Sequence, residues 1–160
     1  LDYLSKNYKG DIHISTGMTS SDEIDEIIDF LNKRNALKKT IIYSCTSSYP
    51  AKIEDIKLLD ILNIKEKYGK FIKAIGFSGH HKGLSIDNAA ITLGASWFER
   101  HFTFDRTAKG TDHAASLEAE GLMKLRIRLN ETNTTLNYKP KKILKNERFQ
   151  RSYLKKIVRI

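Results

Sequence analysis

Cysteine occurs once, at Cys45, so an internal disulfide is excluded and the chain fits a reducing compartment. Long apolar runs are missing as well. None approaches the roughly 18 residues of a membrane helix, which removes a helical span from the candidates. The chain starts at Leu1 rather than methionine, so the lack of a leader-like stretch carries no weight. Cytoplasm is the expected compartment, and no membrane partner is expected. Acidic residues are scarce only at one end. The formal charge of +9 invites a nucleic-acid reading until it is located. Residues 139–160 hold nine Lys and Arg against the single acid Glu147, while the other 138 residues hold nineteen against eighteen.

At 160 residues and 40% apolar content the chain can bury one sizeable core. Four short apolar runs read as strands: Asp11 to Ser15, Thr40 to Cys45, Ala74 to Ser78 and Trp97 to Phe102. Helical periodicity fills the intervals, and strand alternating with helix predicts an α/β fold with parallel strands and right-handed crossovers. The first helix is signalled by Ser20 with Glu23 as a capping box and by an apolar stripe of Ile24, Ile27, Ile28 and Leu31. A second is expected within Ile53 to Tyr68 with Gly69 as its stop, a third over Leu84 to Leu93, and a fourth from near Leu117 carrying Leu122, Leu125 and Leu129. Leu1, Leu4 and Tyr8 read as the last turns of a helix already under way.

Two of the apolar runs lead directly to a histidine. His80 and His101 would sit at or just past the carboxyl ends of neighbouring strands, where barrel enzymes keep their chemistry. Two imidazoles so placed can hold a divalent metal and leave other positions for water or substrate oxygen; Mn²⁺ suits such a mixed nitrogen and oxygen set, and Co²⁺, Fe²⁺ or Zn²⁺ also fit. Taken bare, such histidines are more often hydrogen-bonded core residues.

Four blocks decide between these readings: Ile14-Ser15-Thr16-Gly17-Met18, Cys45-Thr46-Ser47-Ser48-Tyr49-Pro50, Gly76-Phe77-Ser78-Gly79-His80, and Glu99-Arg100-His101-Phe102-Thr103 leading to Gly110-Thr111-Asp112-His113. In order and spacing they resemble the N-acetylneuraminate (sialic acid) synthase family over roughly residues 1 to 150. The resemblance implies the C-terminal half of a (β/α)8 TIM barrel, four parallel βα units over residues 1–138, since 160 residues fall short of the about 250 of a complete barrel. An open half-barrel leaves strand edges and one face uncovered, so these residues alone are expected to be neither a stable free monomer nor active.

Carried over residue by residue, the resemblance implies His80 and His101 as metal ligands and Asp112 as a catalytic carboxylate near metal and amino sugar. It implies Ser15, Ser47 and Ser78 at the phosphoenolpyruvate end and Tyr49 as a wall for the sugar. Ser47 stands where family members often carry Asn. The implied reaction condenses phosphoenolpyruvate with an N-acylated amino sugar, N-acetylmannosamine or a relative, to a nine-carbon 2-keto sugar acid plus phosphate. Mn²⁺ is the expected cofactor and a homo-oligomer the expected full-length assembly.

One departure from the family pattern stands out. Many members have Ser-Asp-His-Thr where this chain has Ser78-Gly79-His80-His81, so a carboxylate is lost and an imidazole gained, with His81 or Thr103 as candidates to compensate. His113 is a candidate to stand behind the metal, His13 reads as a satisfied core residue and Cys45 as buried packing. Residues 139–160 read as a basic tail, either one amphipathic helix with Leu144, Phe149, Tyr153, Leu154, Ile157 and Val158 or a linker. A binding module for nucleic acid or an anionic surface, and a non-catalytic half-barrel subunit, are the alternatives to an enzyme; nucleic acid is the less expected partner because the tail has no recognised motif.

Overall fold

The computed structural model describes residues 1–155. Its strands β1 (Ile12–Ser15), β2 (Thr40–Cys45), β3 (Ala74–Ser78) and β4 (Trp97–Glu99) form one parallel sheet in sequence order. A short helix α1 (Asp2–Asn7) precedes the sheet, and α2 (Ser21–Asn32), α3 (Asp60–Tyr68) and α4 (Ser85–Leu93) connect its strands. Two more, α5 (Ala119–Thr135) and α6 (Lys145–Leu154), follow. These are four consecutive βα units, as the strand and helix pattern predicts.

Strand register sorts the side chains onto two faces. Ile42 pairs with Ile14 on one side and Ile75 on the other, and Phe77 pairs with Phe98. That face packs under the helices against Leu31, Ile61, Ile64 and Ala90, the buried core. The other face carries His13, Tyr43, Gly76, Ser78, Trp97 and Glu99, and is open: Trp97 is 40% exposed. His13 therefore is not a core residue. It is exposed, accepts or donates at Nδ1 to the Tyr43 hydroxyl at 2.8 Å, and meets the Trp97 ring edge-on. Tyr43 itself lies flat across Gly76, where any Cβ would collide with its ring. Cys45, on the same face, is half-buried rather than buried.

Element bounds follow the sequence reading closely except at the end of β4. The second helix splits into a single 3-10 turn at Ile53–Asp55 and α3 proper, because only Ile61, Ile64 and Tyr68 repeat at helical spacing on the buried side. Strand β4 ends at Glu99 instead of Phe102, since the last ladder bond runs from Gly79 N–H to the Glu99 carbonyl. Beyond it, His101 and Thr103 exchange backbone bonds with Leu117 instead. On α5 only Leu125 of the three leucines is buried, with Leu122 45% exposed. Gly69 does follow α3, but in right-handed conformation, whereas Gly94 after α4 takes φ of 113°, a region where glycine has no Cβ penalty.

The capping box at α2 is present as predicted: the Glu23 amide donates to Ser20 Oγ at 3.3 Å and the Ser20 amide to Glu23 Oε2 at 2.8 Å. The C-terminal tail forms a helix rather than a linker over Lys145–Leu154, with Lys139 paired to Glu147 and the Phe149 and Tyr153 rings 4.9 Å apart. Ile157 and Val158 lie outside the described residues.

The Tyr68 contact between α3 and α2 should make stability pH-dependent. The Tyr68 phenol donates to Asp25 Oδ1 at 2.5 Å, and burial, reinforced by that carboxylate, pushes its pKa up to about 12. A raised acid favours the protonated phenol in the folded state, so this stabilisation is complete below the unfolded value near 10 and is lost as pH climbs through 12. Absorbance titration of the phenolate, paired with melts at pH 9 and 11.5, should show a pH-dependent loss that Tyr68→Phe removes. An equal loss in Tyr68→Phe would refute the assignment.

Candidate active site

The carboxyl ends of the strands gather the polar residues. His80 follows β3 and His101 follows β4, and their rings lie 5.0 Å apart between centroids, nearly perpendicular. The ring of Tyr49, from the loop after β2, sits 4.4 Å from His80 and is stacked at 5.6 Å on His101. Three aromatic rings from three successive strand ends thus form one cluster.

Each imidazole has one nitrogen turned to an acceptor. His80 is buried and its Nδ1–H donates to the Thr46 carbonyl at 2.9 Å, which leaves Nε2 with its lone pair for another partner. His101 has Nδ1 3.6 Å from Asp112 Oδ2, longer than a hydrogen bond yet within ion-pair range. Asp112 thereby stands behind His101, in a loop where its Oδ1 accepts from the Thr111 hydroxyl. Among the described residues no group of three or more His, Cys, Asp or Glu side chains encloses a common point. Two imidazoles are two nitrogen donors, too few for a closed structural metal site.

The serines divide. Ser78, buried, donates to Glu99 Oε1 at 2.8 Å on the open face. Ser47 packs its hydroxyl over Gly17, so that a Cβ there would force the hydroxyl to move, with Cys45 Sγ 3.9 Å from it. Ser15 pairs in register with Tyr43, two strands from Ser78, and is exposed. A groove of about 660 Å³ opens beside Thr16, Ser47 and Lys57 at this same end of the sheet. A second, about 580 Å³ and more apolar, lies between α4 and α5 away from the strand ends.

Glu99 was not singled out in the sequence, yet it is exposed on the open face beside Ser78. Period-two alternation in Trp97-Phe98-Glu99, with Phe98 turned to the core, is the signal that places its carboxylate on that face. The two residues proposed to compensate for the missing carboxylate at position 79 do not contact His80. Thr103 accepts or donates to His113 Nδ1 at 2.7 Å, and His81 turns the other way, into the helix layer.

There His81 meets Asp87 of α4 and Arg100. Their side chains are 0%, 0% and 2% exposed. Arg100 Nη1 donates to Asp87 Oδ2 at 2.6 Å and to the Gly83 carbonyl at 3.1 Å, and Nη2 to the His81 carbonyl at 2.7 Å. Burial lowers the Arg100 pKa from its ordinary value, and the Asp87 charge opposes that shift.

Four parallel βα units with oriented imidazoles at their carboxyl ends define one half of a (β/α)8 barrel whose chemistry lies at the top of the sheet. The comparisons agree. Residues 1–141 match the model of the NeuB family. The chain is 35% identical over 150 residues to N,N'-diacetyllegionaminic acid synthase of Campylobacter jejuni, covering 92% of this chain and 44% of that protein. It is 36% identical over 149 residues to human N-acetylneuraminate-9-phosphate synthase, covering 90% and 40%. The crystal structure of the sialic acid synthetase of Leptospira borgpetersenii in complex with citrate superposes with a TM-score of 0.75 at 31% identity, over 90% of this chain and 50% of that one. The chain belongs to the NeuB family, and it spans less than half the length of these two curated relatives.

Proposed function

We propose that the protein containing this half-barrel condenses phosphoenolpyruvate with an N-acylated amino sugar, N-acetylmannosamine or a close relative, to give a nine-carbon 2-keto sugar acid and phosphate. The observation that carries it is the pairing of His80 and His101 across two strand ends, with Tyr49 over both, in a chain of this family. In the reaction, C3 of phosphoenolpyruvate bonds to the sugar aldehyde carbon, water adds at C2, and the bond to phosphate breaks.

His80 and His101 are the residues that would hold a divalent ion, Mn²⁺ first, and such an ion supplies Lewis-acid polarisation of the aldehyde. Thr46 fixes the His80 tautomer so that Nε2 is the donor, and Asp112 orients His101 from behind while reaching sugar hydroxyls. Tyr49 walls the sugar. Ser15, Ser47 and Ser78 supply hydroxyls on the phosphoenolpyruvate side, and Glu99, already accepting from Ser78, is placed to take or give a proton there. Holding both substrates in one cavity supplies much of the remaining rate. The full-length protein is a homo-oligomer in the cytoplasm on this reading.

Incubating the full-length protein with Mn²⁺, phosphoenolpyruvate and either N-acetylmannosamine or a diacetamido sugar tests it. Phosphate release that depends on one of these sugars supports the condensation and names its substrate; release that is independent of any sugar contradicts it.

A further inference from the structure

The buried cluster of His81, Asp87 and Arg100 lies outside the roles given so far, and its position is informative. His81 is the residue after His80, and Arg100 the residue before His101. One step of chain, about 3.8 Å between Cα atoms, separates each from an imidazole of the pair. All three touch each other: Asp87 Oδ2 is 2.6 Å from Arg100 Nη1 and 3.2 Å from His81 Nε2.

Arg100 Nη1 carries two hydrogens, shared among Asp87 Oδ2, the Gly83 carbonyl and His81 Nε2. Its contact with His81 Nε2 is at 3.3 Å, where a guanidinium can only donate, and the same Nε2 lies 3.2 Å from Asp87 Oδ2, within ion-pair range. With Nη2 on the His81 carbonyl, the guanidinium ties the backbone after β3 to the start of α4 and to the end of β4. Among the described residues no other side-chain bond spans those three elements so near the histidine pair.

Stability does not explain such a cluster. A buried ion pair is often replaceable by apolar residues without loss, and this one leaves His81 Nδ1, Asp87 Oδ1 and Arg100 Nε buried with no partner, each at a desolvation cost. What an ionic cluster with a planar fork does provide is fixed geometry. Resting on the metal reading above, we infer that His81, Asp87 and Arg100 are positioning residues that set the spacing of His80 and His101, and so the affinity for a divalent ion, without touching it.

The test compares His81→Leu, His81→Gln and Arg100→Lys in the full-length protein, reading Mn²⁺ affinity by calorimetry, the Co²⁺ ligand-field spectrum, and the melt of the metal-free protein. Gln keeps a polar side chain able to accept from Arg100 and to meet Asp87, and Leu does not. Arg100→Lys and His81→Leu should weaken Mn²⁺ binding about 10- to 100-fold and shift the Co²⁺ bands, while His81→Gln stays near the parent. Equal affinity and an unchanged Co²⁺ spectrum in His81→Leu and His81→Gln overturn the inference, and that comparison stands even where Arg100→Lys does not fold. A parent protein that binds neither ion, or binds them equally after His80→Ala, overturns the metal reading itself. Binding lost in His80→Ala but unmoved by the cluster variants overturns the positioning role alone.

Discussion

Alanine at His80 or at His101 in the full-length protein should abolish tight Mn²⁺ binding and cut sugar-dependent phosphate release by about 10³-fold. That factor is the rate equivalent of the several kcal/mol that polarisation of a carbonyl by a metal supplies. Both histidines should matter alike, because each contributes one nitrogen from a different strand and neither has a neighbour able to replace it. His81 is turned into the helix layer, and His113 is engaged by Thr103. His80→Ala should also leave the fold largely intact, since its ring bonds only the Thr46 carbonyl at the rim of the sheet. Calorimetry with Mn²⁺, alongside the phosphate assay, checks both halves of this expectation. Retained metal affinity in either variant would remove that histidine from the ligand set.

Restoring the family's carboxylate at position 79 should be harmful in this chain. A Cβ on Gly79 would lie 2.9 Å from Phe77 Cε1, 3.0 Å from His81 Cε1 and 3.1 Å from His81 Nδ1. Both rings are packed, at 3% and 0% exposure, so neither can swing aside cheaply. Gly79→Asp should therefore cost about 2–3 kcal/mol through overpacking and a poorly solvated carboxylate. At about 2–4 °C per kcal/mol for a chain of this size, the melt should fall by about 4–12 °C. A threonine at position 81 removes the obstructing ring, so Gly79→Asp with His81→Thr should recover at least half of that loss. A double variant as unstable as the sum of the two singles would show that positions 79 and 81 are not coupled by space.

Positions 79 and 81 are in contact in space, because the His81 ring lies where a Cβ at 79 would need room. The acid that His81 itself meets is Asp87, from the first turn of α4. Which side of the sheet the extra imidazole takes is a matter of alternation. Consecutive residues in extended chain point oppositely, so with His80 on the open side His81 is directed to the core.

Much of the architecture was determined by sequence alone. Apolar runs bounded by turns gave β2 and β3 to the residue, and the Ser20 and Glu23 pair located the start of α2, because capping and strand formation depend on neighbours a few positions away. The four motif blocks likewise identified the family and the pair of histidines. Local pattern did not reveal where β4 would leave its ladder, since that follows from the length of β3 beside it and the pull of Asp87 and Leu117 on the residues after Glu99. It did not reveal the exposure of His13 either: alternation assigns a face, but only the absence of packing over that face leaves the ring in solvent. The partners of Arg100 and His81, the hydrogen bond of Thr46 to His80, and Glu99 beside Ser78 join residues 6 to 34 positions apart. Such contacts are set by strand register and helix docking, which the tertiary structure alone decides.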